Sequence, residues 1–199
     1  MHQSPCCPAG HAARTLQIII QGRGGQGAQL AGSVLAMAFF AEGREVQSFA
    51  TYGGARRGTP VSAFIRVDER PIRARCDIEK ADALLCFDAS LLEARLLTSA
   101  APGALIVVNS RRTPAQFGAA LAGYQVMPVD GIGISQRHGL GRIVNSALLG
   151  AFARALGAPA LETLSRIVSE QAPKNASENL AACIEGYRAL EAQLEKAAA

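Results

Sequence analysis

The sequence predicts an α/β fold with a mostly parallel sheet, and three observations support this prediction. Apolar runs typical of buried strands alternate with segments in which apolar residues recur at helical spacing. The first of these runs, residues 16–21, leads through a glycine-rich turn into a helical segment. From about residue 144 onward, the chain carries helical patterns alone. Together they predict a single Rossmann-like domain, with helices covering the sheet and a helical C-terminus.

Six strands are predicted from the apolar runs. They cover residues 16–21, 45–51, 61–67, 82–88, 104–109 and 124–130. The segment 61–67 alternates apolar and polar side chains, as a half-buried strand does. After a turn at 68–71, we expect residues 72–75 to return as its β-hairpin partner.

Helical spacing predicts a first helix from Gln26 to about Glu42, where Gly43 ends it. Its expected buried face consists of Leu30, Val34, Met37, Ala38 and Ala41. Three further stripes predict the C-terminal helices. They consist of Val144, Leu148, Phe152 and Leu156, then Leu161, Leu164 and Val168, then Leu180, Cys183, Ile184, Tyr187 and Leu194.

The 199 residues suggest one domain that is large enough to bury a core. Residues 1–14 lack the apolar segment of a secretory signal, so we expect a flexible tail, with residues 15–199 forming the domain. No apolar run approaches the roughly 18 to 20 residues that cross a membrane. We therefore expect a soluble, cytoplasmic protein without a membrane partner.

The charged residues and cysteines exclude several other classes. The net charge of +4 comes from scattered basic residues, which argues against a nucleic-acid partner. The five cysteines are odd in number and widely spaced, so they form no disulfide framework, and Cys86 and Cys183 are expected to be buried thiols. Cys6 and Cys7 are adjacent, which suits a tetrahedral metal site poorly. We expect no metal ligands.

The glycine-rich turn satisfies the spacing G-x-G-x-x-G between a strand and a helix. In this spacing Gly22 permits a tight turn, Gly24 lets the backbone approach a phosphate, and Gly27 lets helix and strand pack closely. A nicotinamide dinucleotide site also requires an acidic residue after the second strand, to bind the ribose hydroxyls. That strand ends in "SFATYGG" without an acid, so the glycines could equally serve turning and packing alone.

Two segments together are more specific than the glycine pattern. They are "GRGGQGAQLAGSVLAMA" at residues 22–38 and "TYGGARRGTPVSAFIRV" at residues 51–67. They resemble the gamma subunit of the 2-oxoacid:ferredoxin oxidoreductases, which act on pyruvate, 2-oxoglutarate, branched-chain 2-oxoacids, indolepyruvate or phenylglyoxylate. The resemblance extends from about Leu16 to Tyr187. It departs at Gly54 and Ala55, where the family often has Pro-Glu.

The resemblance implies a multi-subunit enzyme that oxidatively decarboxylates a 2-oxoacid to an acyl-CoA. Thiamine diphosphate with Mg²⁺ would be bound by alpha and beta subunits, and [4Fe-4S] clusters by a ferredoxin-like delta subunit. The present sequence has neither a G-D-G segment for thiamine diphosphate nor a C-x2-C-x2-C run for a cluster. It is therefore expected to be inactive alone and to supply no catalytic residue.

Two roles for the chain itself remain open at this stage. In the first, the glycine loop offers backbone donors to a phosphate of coenzyme A, and Arg56 or Arg57 adds charge-assisted hydrogen bonds. In the second, the glycine loop and the Tyr52–Gly58 loop dock against the thiamine-binding subunits. The candidate residues for either role are Gly22, Gly24, Gly25, Gln26, Gly27, Tyr52, Arg56, Arg57 and Gly58.

A different class remains as the alternative, namely a freestanding dinucleotide-binding or redox-sensing regulatory domain. It accounts for the glycine loop but not for the segment "TYGGARRG".

Five further polar residues receive modest roles. We expect Asp88 to cap a helix, Asn145 to hydrogen-bond to a loop, and Arg111 and Arg112 to lie in a solvated turn. His138 has no carboxylate partner in view, so we assign it no acid–base role.

Overall fold

The computed structural model describes residues 15–52, 59–92, 97–172 and 174–198. Six strands form one sheet. They are β1 (Leu16–Arg23), β2 (Glu45–Tyr52), β3 (Pro60–Asp68), β4 (Ala81–Cys86), β5 (Ala100–Asn109) and β6 (Gln125–Val129). Their order across the sheet is β2-β3-β1-β4-β5-β6. All six predicted strands are confirmed, with ends that differ by a few residues.

The sheet is mixed, and its parallel part runs from β1 to β6. Strands β1 and β4, β4 and β5, and β5 and β6 pair in parallel, whereas β3 is antiparallel to both β1 and β2. The predicted α/β class is confirmed. The predicted hairpin partner is wrong, because residues 72–75 form no strand. Both edges of β3 are already paired, so those residues have no free edge to join, and the hairpin consists of β2 and β3 instead.

Five helices complete the described part of the fold. They are α1 (Ala28–Ala41), α2 (Gly131–Arg137), α3 (Asn145–Leu156), α4 (Leu161–Gln171) and α5 (Ala176–Ala198). They cover the sheet face that carries Ile18, Ile20 and Ile65, which are fully buried. The opposite face, with Ile19, Leu84 and Ile106, is covered by the segments that connect the strands, which include short 3₁₀ helices. No described helix combines the length and the apolar character that crossing a membrane would require.

The predicted buried face of α1 is confirmed at Val34 and Ala38 but is wrong at Leu30. Leu30 is 37% exposed, whereas Ala31, Leu35 and Phe39 are buried. The helix is apolar almost all round, so its sequence does not single out one face. Packing against the sheet selects the buried face. A Cβ at Gly32 would lie only 2.7 Å from the Cβ of Ala63 on β3, so this side of the helix lies closest to the sheet.

Helices α3 and α5 cross with their backbones in contact. A Cβ at Gly150 would lie 1.9 Å from the carbonyl oxygen of Cys183, and a Cβ at Gly186 would lie 1.9 Å from that of Ala147. Real Cβ atoms do not approach a backbone oxygen this closely. The two glycines therefore allow an approach that any other residue would prevent.

We expect Gly186→Ala to destabilise the protein by about 3 kcal/mol, since the added methyl group must push two helix backbones apart. The matched control is Gly123→Ala, where a Cβ would meet nothing within 4 Å. The free energy of unfolding of that control should differ from that of the parent by at most about 0.5 kcal/mol. Urea unfolding followed by circular dichroism measures both, and equal effects of the two substitutions would show that the helix crossing can relax.

Candidate functional site

The Tyr52–Gly58 loop, called the second motif loop below, connects β2 to β3. Tyr52 at its start and Thr59 directly after it lie at the same edge of the sheet as the glycine loop. We call this edge the carboxyl edge, because β1, β2, β4, β5 and β6 all end there. Gly22 pairs with Val61 on β3, and Val61 pairs with Tyr52 on β2, so the three residues share one level across three strands. The N–H of Gly24 donates to the carbonyl oxygen of Thr59 at 2.8 Å.

The candidate residues Arg56, Arg57 and Gly58 lie outside the described residues, within 53–58. The backbone of Tyr52 is described as the last residue of β2. The structure therefore places the start and the end of the second motif loop beside the glycine loop.

Reciprocal hydrogen bonds close the glycine loop on itself. The N–H of Gln26 donates to the carbonyl oxygen of Arg23 at 3.0 Å, and the N–H of Arg23 donates to the side-chain Oε1 of Gln26 at 2.7 Å. Gly25 and Gly27 have φ angles of 98° and 81°, which favour glycine. The amide of Gln26 thus has a structural role in this loop. Sequence reasoning missed it, because the motif gives no sign of a side chain that bonds back to the backbone.

An ion pair joins the glycine loop to the neighbouring strand. Arg23 Nε donates to Asp88 Oδ2 at 2.7 Å, and the guanidinium also donates to Ser90 Oγ at 2.8 Å. Asp88 caps the short 3₁₀ helix at 89–91 by accepting from the N–H of Ser90, as predicted. Burial acts to raise the pKa of Asp88, but hydrogen bonds from Ser90 and Arg23 outweigh it and lower the pKa below its usual value.

Asn109 and Asp130 organise the carboxyl edge beyond β4. The side-chain amide of Asn109 donates to the carbonyl oxygen of Phe87 and accepts from the N–H of Gly131, so one residue ties three segments together. Asp130 caps α2 and accepts from Arg111 Nε at 3.0 Å. The prediction of a solvated turn agrees with the 71% exposure of the Arg111 side chain, although this side chain is also held in an ion pair.

Asn145 lies beside the glycine loop at the start of α3. It is 8% exposed, and a Cβ at Gly27 would lie 3.2 Å from its Nδ2. Its Oδ1 accepts from the N–H of the adjacent Ser146. We had expected Asn145 to hydrogen-bond to a loop. Among the described residues its side chain instead packs against the glycine loop without such a bond.

His138, for which no carboxylate partner was in view in the sequence, has one in the structure. His138 Nε2 lies 2.6 Å from Glu185 Oε2, and Arg137 Nε donates to Glu185 Oε1 at 2.9 Å. Burial acts to raise the pKa of Glu185, but hydrogen bonds from Arg137 and His138 outweigh it and lower the pKa. The partners lie 47 residues apart in sequence, so no local pattern predicts this contact. The cluster joins the end of α2 to α5.

The two cysteines expected to be buried are confirmed. Cys86 and Cys183 are fully buried, and burial raises the pKa of each thiol to about 12. Within the described ranges, no group of three or more His, Cys, Asp or Glu side chains could hold a metal ion. Cys6 and Cys7 lie outside those ranges.

The family model for pyruvate ferredoxin/flavodoxin oxidoreductase matches residues 17–189. The chain belongs to this family. It is 38% identical over 159 residues to the gamma subunit common to the pyruvate and ketoisovalerate oxidoreductases of Thermococcus kodakarensis, covering 78% of this chain and 85% of the relative. The predicted resemblance to gamma subunits is confirmed.

Solved structures of the family share the fold. The pyruvate oxidoreductase subunit PORC of Thermotoga maritima is 28% identical with a TM-score of 0.76, covering 88% of this chain and 97% of that one. A 2-oxoglutarate:ferredoxin oxidoreductase of Magnetococcus marinus, with 2-oxoglutarate, coenzyme A and succinyl-CoA bound, is 22% identical with a TM-score of 0.71. The match covers 91% of this gamma-type chain but 31% of that longer chain.

We expect Asp88→Ala to destabilise the protein by about 1 kcal/mol at pH 7, because it removes a helix cap. A carboxylate with a lowered folded-state pKa contributes stability above its unfolded value of about 3.9 and loses it as pH falls through the folded value. The difference in the free energy of unfolding between parent and variant should therefore decrease below about pH 4. Urea unfolding at pH 7 and pH 3 measures it, with Asp77→Ala as the exposed control. A gap that stays constant with pH would contradict the role of the charge.

Proposed function

We propose that this chain is the assembly subunit of a thiamine diphosphate and iron–sulfur dependent 2-oxoacid oxidoreductase that forms an acyl-CoA. In this proposal the carboxyl edge docks against the alpha and beta subunits and helps to seal their active site. The observation that carries the proposal is the hydrogen bond from Gly24 to Thr59, which joins the two motif loops into one surface.

The bonding within the glycine loop supports docking over dinucleotide binding. The N–H groups of Arg23 and Gly24 are used inside the chain, so they are not free to bind a pyrophosphate. The same bonds hold the loop in one conformation. A loop that is ordered in advance loses little entropy when a partner binds, which favours its use as an interface.

Exposed apolar side chains occur along the same edge of the sheet. Among the described residues, four large hydrophobic side chains are exposed, and three of them lie at helix starts near the carboxyl edge. Leu30 is in the first turn of α1, Ile132 is in the first turn of α2, and Ile143 lies two residues before Asn145, which contacts Gly27. Exposed apolar residues clustered around a polar site are typical of a protein interface.

Contact with coenzyme A is a second candidate function, and the start of α1 favours it. Among the described residues no side chain caps this helix, and its N-terminus carries a partial positive charge that attracts a phosphate. Arg56 and Arg57 follow β2 in the adjoining loop and would add charge-assisted hydrogen bonds. The 2-oxoglutarate:ferredoxin oxidoreductase of Magnetococcus marinus, whose fold this chain shares over part of its length, was solved with coenzyme A bound, which supports this candidate.

The thiamine diphosphate, the Mg²⁺ and the [4Fe-4S] clusters are expected in the partner subunits, namely alpha, beta and a ferredoxin-like delta subunit. The thiamine diphosphate would supply the decarboxylation chemistry. The present chain would bind and orient those subunits and limit access of water, and it would provide no catalytic side chain.

The docking proposal predicts that Leu30→Lys prevents assembly while the chain itself stays folded, since Leu30 is exposed at the carboxyl edge. The matched control is Phe40→Lys. Phe40 is 72% exposed but lies ten residues further along α1, about 15 Å away near the opposite edge. Co-expression with the partner subunits followed by native mass spectrometry measures complex formation.

If Phe40→Lys disrupts the complex and Leu30→Lys does not, the interface lies at the other edge and the docking proposal is wrong. Circular dichroism of each isolated variant confirms that a lost complex is not a lost fold.

The coenzyme A candidate predicts that Arg56→Ala with Arg57→Ala weakens coenzyme A binding by the complex at least tenfold, or about 1.4 kcal/mol. Calorimetry on the assembled complex measures it. The control is Arg44→Ala with Arg166→Ala, which removes the same charge from two exposed surface ion pairs. Unchanged binding, or equal weakening in the control, would reject contact with coenzyme A. Loss of the complex in the first variant alone would instead assign both arginines to docking.

A further inference from the structure

A buried arginine lies on the sheet face opposite the helices. Arg66 on β3 is only 2% exposed. One terminal nitrogen of its guanidinium donates to Gln47 Oε1 at 2.6 Å, and the other donates to the carbonyl oxygen of Cys76. The guanidinium carbon also lies 5.7 Å from the centre of the Phe49 ring. All of these partners are neutral.

This arrangement is unusual, because a buried charge is normally paired with an opposite charge. Burying a cation in a protein is unfavourable unless a counter-charge or a dense set of hydrogen bonds compensates for the lost water. Among the described residues, Arg66 makes no ion pair. Its Nε–H also makes no hydrogen bond to a described residue. The guanidinium therefore retains a donor and an uncompensated charge.

A cavity of about 760 Å³ adjoins this guanidinium. Its walls come from the middle of β2 and from the irregular segment 72–77, and they include Arg73, Arg75 and Asp77 as well as Arg66. Three arginines thus face one acidic residue. The volume lies within the range typical of small-molecule sites, roughly 300 to 1,000 Å³.

One wall of the cavity is aromatic. The Phe49 ring stacks on that of Phe64 with centres 5.0 Å apart and planes inclined by 10°. Phe49 lines the cavity, so an apolar ring lies beside the cationic groups. Such a combination suits a small molecule that carries an anionic group on an apolar or planar body.

We propose that this cavity is a binding site for a small organic anion, whose carboxylate or phosphate group supplies the counter-charge for Arg66. A planar guanidinium matches the oxygens of either group in a forked geometry. Arg73 and Arg75 are exposed and line the same cavity, where they add long-range attraction. The site lies beside the middle of β2, at residues 47–49, and not at the carboxyl edge, and it does not depend on the proposed function.

NMR titration of the ¹⁵N-labelled full chain with inorganic phosphate and with citrate tests this directly. The Nε–H signal of Arg66 and the amide of Phe49 should shift in a saturable way with at least one of these two probes. Arg73→Ala with Arg75→Ala should weaken the binding of that probe at least tenfold. Because both of these residues are exposed, the double variant should fold even if substitution of Arg66 does not.

The charge-matched control is Arg142→Ala with Arg166→Ala, two exposed arginines outside the cavity. It should leave the affinity unchanged. Shifts that do not saturate, that spread over all arginines, or that weaken equally in the control would overturn the site. Binding of an oligoglutamate peptide where phosphate and citrate both fail would overturn the small-molecule assignment, because the occupant would then be an acidic protein segment.

Discussion

The antiparallel strand β3 lies between the two strands that helix α1 connects, and the position of both motif loops follows from it. Because β3 pairs with β1 on one side and with β2 on the other, the chain must leave β2 and enter β3 at the carboxyl edge. That turn is the second motif loop. It is followed by Thr59, whose carbonyl oxygen accepts from the N–H of Gly24 in the glycine loop. One strand pairing thus makes a single surface from two segments about 30 residues apart.

The same pairing explains why the glycine motif lacks its acidic partner. In a dinucleotide-binding unit, the second strand is the parallel neighbour of the first, and its terminal acid reaches the ribose. Here β2 is one strand further away, roughly 10 Å from β1 at the usual strand spacing. An acidic residue in place of Tyr52 would therefore lie too far away to reach the ribose of a nucleotide bound over Gly22. The glycine spacing persists because the turn and the close packing still require it.

Local sequence patterns predicted most of the strands and helices correctly. They did not predict contacts between residues that are distant in sequence. Continuous apolar runs indicated β1, β4 and β5, and the alternation of apolar and polar side chains indicated β3. Asp88 was recognisable as a helix cap from its place after a strand. Strand pairing is not local, so residues 72–75 were wrongly assigned to a hairpin. The partners of His138 and Arg66 come from distant segments, and nothing in the alternation of β3 distinguishes an arginine that is buried from one that faces water.

Within the candidate site, the described contacts of the glycine-motif residues serve to hold the conformation of the loop. Gln26 closes the loop, Gly25 and Gly27 supply its left-handed turns, and the Gly24 N–H fastens it to Thr59. Recognition must then come from groups that the loop does not use itself. The partial positive charge at the start of α1 and the exposed side chain of Leu30 in its first turn are such groups. A rigid loop that presents an anion-attracting helix end within an apolar rim can serve a subunit interface and a phosphate together, so the two candidate functions are compatible at one edge.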